Sequence, residues 1–200
     1  DPDLPSQYRD SSHVFLANID PEIQLSVLEQ VENPDVVACD TMNFWIENKP
    51  DALREVLERV DFFFLNDSEA ELLTGESNLL TAGKKLREMG PSAAVIKKGE
   101  HGVFLNGRGW EFVLPGFPVG LVKDPTGAGD SFGGGFMGSL ASQDSSDFGA
   151  LKDALVHGNI TASFTVEEFG TSGLVEMREW DLDERYRRFV RMTHFEEQRL

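Results

Sequence analysis

The chain is poor in cations and almost free of cysteine. Eighteen Lys and Arg stand against thirty-five Asp and Glu, a formal charge of −17 over 200 residues. That imbalance argues against a phosphate-backbone partner, which needs a basic patch. Arg185, Arg187, Arg188 and Arg191 do cluster, but acids surround them, so a solvated helix face is expected there. One cysteine, Cys39, excludes an internal disulfide framework and suits a reducing, cytoplasmic compartment. It lies in the apolar run Val36-Val37-Ala38-Cys39 and reads as a buried, inert thiol. Long hydrophobic stretches are missing too. The richest run, Phe62-Phe63-Phe64-Leu65, is of strand length, so neither a signal peptide nor a membrane span is visible. There is no Gly-x-x-x-x-Gly-Lys-Ser/Thr and no Gly-x-Gly-x-x-Gly after the first strand, which argues against a P-loop and a dinucleotide-binding fold. None of the four histidines has a paired metal-ligand spacing.

What is present alternates between short apolar runs and amphipathic ones. Strands are expected at 13–17, 36–39, 62–65 and 93–97, with a hairpin pairing 103–105 and 110–113 across Asn106-Gly107-Arg108-Gly109. Helices are expected at 21–31, capped by Asp20 with Pro21 first and with Ile23, Val27 and Leu28 inward. Others are expected at 50–60, at 68–73 stopping at Gly75, and at 79–89 stopping at Gly90-Pro91. Three more follow: 127–140, about 147–166 with Ala162 in its buried stripe, and 181 to the end, with Leu182, Tyr186, Phe189 and Val190 inward. Residues 142–147 read as a polar loop. Alternating strands and helices in a chain of this length predict a single α/β domain with a mostly parallel sheet flanked by helices.

The most informative stretch is Asp124-Pro125-Thr126-Gly127-Ala128-Gly129-Asp130, with Phe132 close behind. Small residues followed at once by a helix pattern describe a helix N-terminus whose amides can hold an anion. Asp130 falls in the first turn, within reach of whatever the amides hold. An anion hole beside a carboxylate is a layout for phosphoryl transfer to a hydroxyl; the plainer reading is a packed helix with an acid favouring its dipole.

This stretch resembles the C-terminal signature of the PfkB, or ribokinase-like, carbohydrate kinases, Asp-Thr-x-Gly-Ala-Gly-Asp-x-Phe, with Pro125 in place of the usual Thr. The resemblance runs from the first strand to about Gly173. It implies a three-layer ribokinase-like core and transfer of the ATP γ-phosphoryl to a hydroxymethyl group of a sugar. Asp130 would be the general base, and the Gly127, Ala128 and Gly129 amides would form the anion hole. Asn66 and Glu69 are similar to the family's Asn-x-x-Glu element, which implies a role toward phosphate and hydrated Mg²⁺; alone, the pair reads as a capped helix. Lys98, Gly99 and Gly102 resemble its Gly-x-x-Gly turn under the nucleotide. Asn159 is placed by the resemblance against adenine; a buried amide bonded to a neighbour is the alternative.

Asp124 and Thr126 match a monovalent-cation site, taken as K⁺, that carbonyls from 169–173 would complete. Asp40 and Asn43 fall at the same sheet edge, as substrate or phosphate contacts or turn caps, and Phe44 and Trp45 as pocket or core aromatics. The family's small β lid, its Gly-Gly motif and much of its sugar pocket have no counterpart here, so the chain reads as the C-terminal part of a longer kinase domain. A nucleoside kinase of the same family and an inactive nucleotide-binding module are the alternative readings. Expected partners are a small-molecule sugar or nucleoside, with no nucleic acid and no membrane. Oligomeric state stays open; a homodimer is compatible with relatives that dimerise through the lid.

Overall fold

Four short runs of buried apolar residues become parallel strands because a helical crossover joins each to the next. The computed structural model describes residues 2–143 and 147–194. Contacts divide the chain into two compact units, Asp1–Leu114 and Pro115–Leu200.

The first unit is a six-stranded sheet in the order of the chain: β1 (His13–Leu16), β2 (Val36–Asp40), β3 (Phe62–Asn66), β4 (Ala93–Lys97), β5 (Val103–Gly107) and β6 (Trp110–Leu114). β1 to β4 are parallel, and β5 and β6 are antiparallel. The helices between them are α1 (Pro21–Leu28), α2 (Asn43–Asn48), α3 (Pro50–Leu57), α4 (Asp67–Thr74) and α5 (Leu79–Glu88). Neighbouring parallel strands joined in chain order by right-handed crossovers put their helices on one face. One core accordingly joins Val14, Val37, Phe63, Ala94 and Ile96 to Leu53, Val56 and Leu86. The alternate strand residues Ala38, Phe62, Phe64 and Val95 are buried as well. This explains why the strands read as continuous apolar runs.

Local signals set the boundaries. Asp20 accepts a hydrogen bond from the Glu22 amide with Pro21 at the first position of α1. Gly75 closes α4 in the left-handed region at φ 71°. Three expectations change. Ile23 is exposed and Gln24 is buried, because the Gln24 Nε2 ties the carbonyls of Leu16, Ala17 and Asp40 together at the ends of β1 and β2. The helix expected over 50–60 ends at Leu57, leaving Val60 buried in the turn to β3. α2 had no sequence-based expectation. Its Phe44 is half exposed and packs edge-on against Trp45, whose indole donates to Asn18 Oδ1, so neither ring is core.

The second unit holds α6 (Ala128–Ala141), α7 (Phe148–Thr165), α8 (Ser172–Val175) and α9 (Glu179–Thr193). α6 and α7 approach closely through glycines. A Cβ on Gly158 would sit 2.7 Å from the Phe132 carbonyl oxygen, and one on Gly135 would sit 2.6 Å from Thr161 Oγ1. α9 docks on α7 through Tyr186, whose hydroxyl donates to Asp153 Oδ1 at 2.6 Å, and its buried Phe189 packs near the Phe117 ring. That bond and burial push the Tyr186 hydroxyl up to about 12. Val190, expected inward, is exposed, as is the outer side of the helix, and Ala162 is only partly buried. Arg185 is not solvated: it is bound to Ser163 and Glu167 and lies over the Phe164 ring. Residues 144–146 of the expected polar loop and 195–200 of the expected last helix lie outside the described residues.

Candidate active site

In the second unit, Gly127 adopts φ 79° as the N-cap of α6, a left-handed conformation that glycine alone enters without strain. The turn before it is closed from within. The Thr126 amide donates to Asp124 Oδ1 at 2.9 Å, and the Ala128 amide to the Pro125 carbonyl at 3.2 Å. Ala128 is therefore committed to the turn, unlike the expectation that its amide holds an anion. The next amides, of Gly129 and Asp130, sit in the first turn, where a helix has no internal acceptors for them. The helix dipole adds to their pull on an anion. Asp130 lies in that same turn and is exposed. The arrangement can hold an anionic group beside an accessible carboxylate.

Asp124 has its own task. The Thr126 amide holds its carboxyl below the usual carboxylate range. The expected loop 169–173 is instead a turn leading into α8. The Phe169 carbonyl accepts from Ser172, and the Thr171 carbonyl from Leu174 and Val175. The K⁺ expectation thus rests on the resemblance alone. Asn159 is 9% exposed, and both ends of its amide are taken: Nδ2 donates to the Pro115 carbonyl at 3.0 Å, and Oδ1 accepts from the Phe117 amide at 3.2 Å. It holds segment 115–117.

In the first unit, Asn66 ends β3 and caps α4. Its Oδ1 accepts from the Glu69 amide at 2.8 Å, while Glu69 Oε2 accepts from the Asn66 amide at 2.7 Å. Burial raises the Glu69 carboxyl; the Asn66 amide and the nearby charge of Lys97 oppose that rise. Oxygen donors at the carboxyl edge of a sheet are chemically suited to water-mediated contact with Mg²⁺, a hard ion that keeps much of its hydration shell. Among the described residues no group of three or more His, Cys, Asp and Glu forms a direct metal cage. That donor set fits an ion carried in by phosphates and steered by one carboxylate.

Lys97 is the residue that sequence reasoning passed over. Lys97 and Lys98 are adjacent, and consecutive side chains on a strand point to opposite faces. Lys97 Nζ meets Asp40 Oδ2 at 2.5 Å across the end of β3, and their side chains are 18% and 5% exposed. The Asp40 Oδ1 also accepts from the Thr41 amide. A signal existed: Lys97 shares the register of Asn66 and the face of Phe64 and Val95, and a lysine on a buried strand face requires a partner. Lys98 instead borders a mostly apolar cavity of about 300 Å³ with Asn78, Leu80, Phe104 and Val113. After it, Gly99 (φ 54°) and Gly102 (φ 91°) shape a tight 3-10 turn closed by the Lys98 amide on the Gly102 carbonyl. Asn43 opens α2. Cys39 is fully buried, and burial pushes its thiol up. No described helix is long and apolar enough to cross a membrane.

The pfkB family carbohydrate kinase model matches residues 9–177. A cytidine kinase of Thermococcus kodakarensis is 36% identical over 138 residues, which is 67% of this chain and 49% of the relative. A ribokinase of Haemophilus influenzae is 31% identical, covering 64% of this chain and 42% of the relative. The solved structure of the Methanocaldococcus jannaschii nucleoside kinase, a ribokinase-family protein, superposes with a TM-score of 0.72 at 27% identity, covering 88% of this chain and 56% of that one. The chain thus spans about half the length of the relatives it matches. With a matching family model over most of its residues and a ribokinase-like α/β fold, the chain belongs to the pfkB family of carbohydrate kinases.

Proposed function

We propose that this chain carries the phosphoryl-transfer machinery of an ATP-dependent kinase acting on a hydroxymethyl group of a sugar. The observation that carries the reading is the N-terminus of α6: a left-handed Gly127, open amides at Gly129 and Asp130, and an exposed Asp130 carboxylate in the same turn. A sugar hydroxyl is a weak nucleophile until its proton is removed. Asp130 accepts that proton as the hydroxyl oxygen bonds to the γ-phosphorus and the bond to ADP breaks. Such general-base help is worth about 10²- to 10⁴-fold. The amides, preorganised by the Asp124–Thr126 clasp, stabilise the charge on the transferring group, each contributing on the order of 10²-fold or more. Glu69, held by Asn66, orients hydrated Mg²⁺ that accompanies the nucleotide; the ion supplies charge neutralisation of the phosphates.

The test is ADP release from Mg-ATP in the full-length protein, comparing wild type with Asp130→Asn. A loss of at least about 10²-fold with nucleotide binding retained is expected. Near-normal turnover by a folded Asp130→Asn protein sinks the assignment.

The names of two relatives favour a second acceptor, the ribose of a nucleoside: a cytidine kinase and a nucleoside kinase both align with this chain. A panel of free sugars and nucleosides separates the readings. A response selective for the base selects the nucleoside; a response to free sugars regardless of base rejects it.

A further inference from the structure

We infer that Arg185 is a remote positioning residue for the Asp124–Asp130 loop, acting from α9 through the C-terminal end of α7. The inference rests on the reading of that loop as the seat of phosphoryl transfer. Residues just past α7 determine where the loop begins. The Val166 carbonyl accepts from both the Lys123 amide (2.8 Å) and the Asp124 amide (3.3 Å), and Lys123 Nζ grips Glu168 at 2.6 Å. Asp124, so placed, clasps Thr126 and sets the turn into Gly127.

Arg185 holds that same stretch from the other side. Its guanidinium donates to Ser163 Oγ and to Glu167 Oε2, both at 2.8 Å, and lies 3.6 Å from the centre of the Phe164 ring. It also faces the ring of Phe117, whose amide is bound by Asn159. Residues 163, 164 and 167 interleave with 166 and 168, so the grip of Arg185 and the grip on the loop share a few consecutive residues. A planar fork that bonds two acceptors while stacking on a ring is specific to arginine; lysine offers a point charge. The fork is not the only tie of α9, since Phe189 is buried and Tyr186 bonds to Asp153. A misplacement of about 1 Å in a reacting group can cost on the order of 10²-fold in rate. A distant clamp on the loop therefore has a kinetic consequence.

Amide hydrogen exchange on the nucleotide-free chain, well below its melting temperature, tests this directly. In Arg185→Met the Lys123 and Asp124 amides should exchange at least about tenfold faster, with β1 to β4 unchanged. Arg185→Lys should restore only part of the protection. In phosphoryl transfer, kcat should fall about tenfold while the KM for ATP moves far less. Unchanged exchange at Lys123 and Asp124 in the folded variant overturns the inference. So does a uniform acceleration across residues 115–194, the mark of a purely structural role. If Arg185→Met does not fold, Glu167→Ala removes one partner and is read the same way. The exchange result does not depend on catalysis, so turnover by Asp130→Asn would sink the kinase reading without touching it.

Discussion

Asn66 and Glu69 are bonded to each other twice: each side chain accepts the backbone amide of the other, at 2.8 and 2.7 Å. The same two residues are the proposed phosphate and Mg²⁺ contacts, so a structural and a chemical role fall on one pair and can be separated by substitution.

Glu69→Gln separates them. Glutamine completes a capping box as glutamate does, and it removes a charge from a buried site. The Glu69 carboxyl is raised by burial, so the folded chain holds its proton more tightly than the unfolded chain. Its contribution favours folding fully below the unfolded value of about 4.3 and is lost as pH rises through the raised folded value. Thermal melts should therefore show Glu69→Gln at least as stable as wild type at pH 7, with the difference shrinking toward pH 4. Turnover should drop about tenfold or more at saturating Mg-ATP; undiminished turnover would remove Glu69 from the site.

Gly127→Ala tests the left-handed cap. An added Cβ meets only Thr165 Cγ2, at 3.9 Å, so the penalty is backbone strain without a clash. Stability should fall by about 1–2 kcal/mol. Gly127→Asn should fall less, because asparagine tolerates this region better. Denaturant titration measures both, and a neutral Gly127→Ala would mean that the turn is not held left-handed.

Gly158→Ala tests the helix contact. Its Cβ would lie 2.7 Å from the Phe132 backbone oxygen, which cannot swing aside as a flexible side chain can. A loss of about 1–3 kcal/mol is expected, or roughly 2–4 °C in Tm per kcal/mol for a chain of this size. Scanning calorimetry with Gly134→Ala as control checks it, since a Cβ there meets nothing within 4 Å.

Lys97→Met removes the Lys97 ammonium from the buried Asp40 carboxylate. A cost of about 3–5 kcal/mol is expected for breaking such a pair from one side. Adding Asp40→Asn should recover part of it. A double-mutant cycle with zero coupling would show that the 2.5 Å contact contributes nothing to stability.

Much of the fold was legible because its signals are local. The strand β4 spans the expected residues, Asp20 caps α1, Gly75 ends α4 and Gly127 precedes α6, each through the chemistry of a few neighbouring residues. The signature loop was legible for the same reason: its glycines and its acid are consecutive. What the sequence hid are partnerships between distant residues. Lys97 finds Asp40 fifty-seven positions away, Gln24 rather than Ile23 turns inward to join two strand ends, and Asn159 binds segment 115–117. Arg185, expected in solvent, is half-buried against Ser163 and Phe164 of α7. Sequence by itself determined the alternation of strands and helices and the position of the glycine turn before α6, since backbone propensity and capping act within a few residues. Only the tertiary structure decided which polar side chains are buried and with whom. A buried charge or amide is tolerated only opposite a partner, and strand register and helix packing choose that partner.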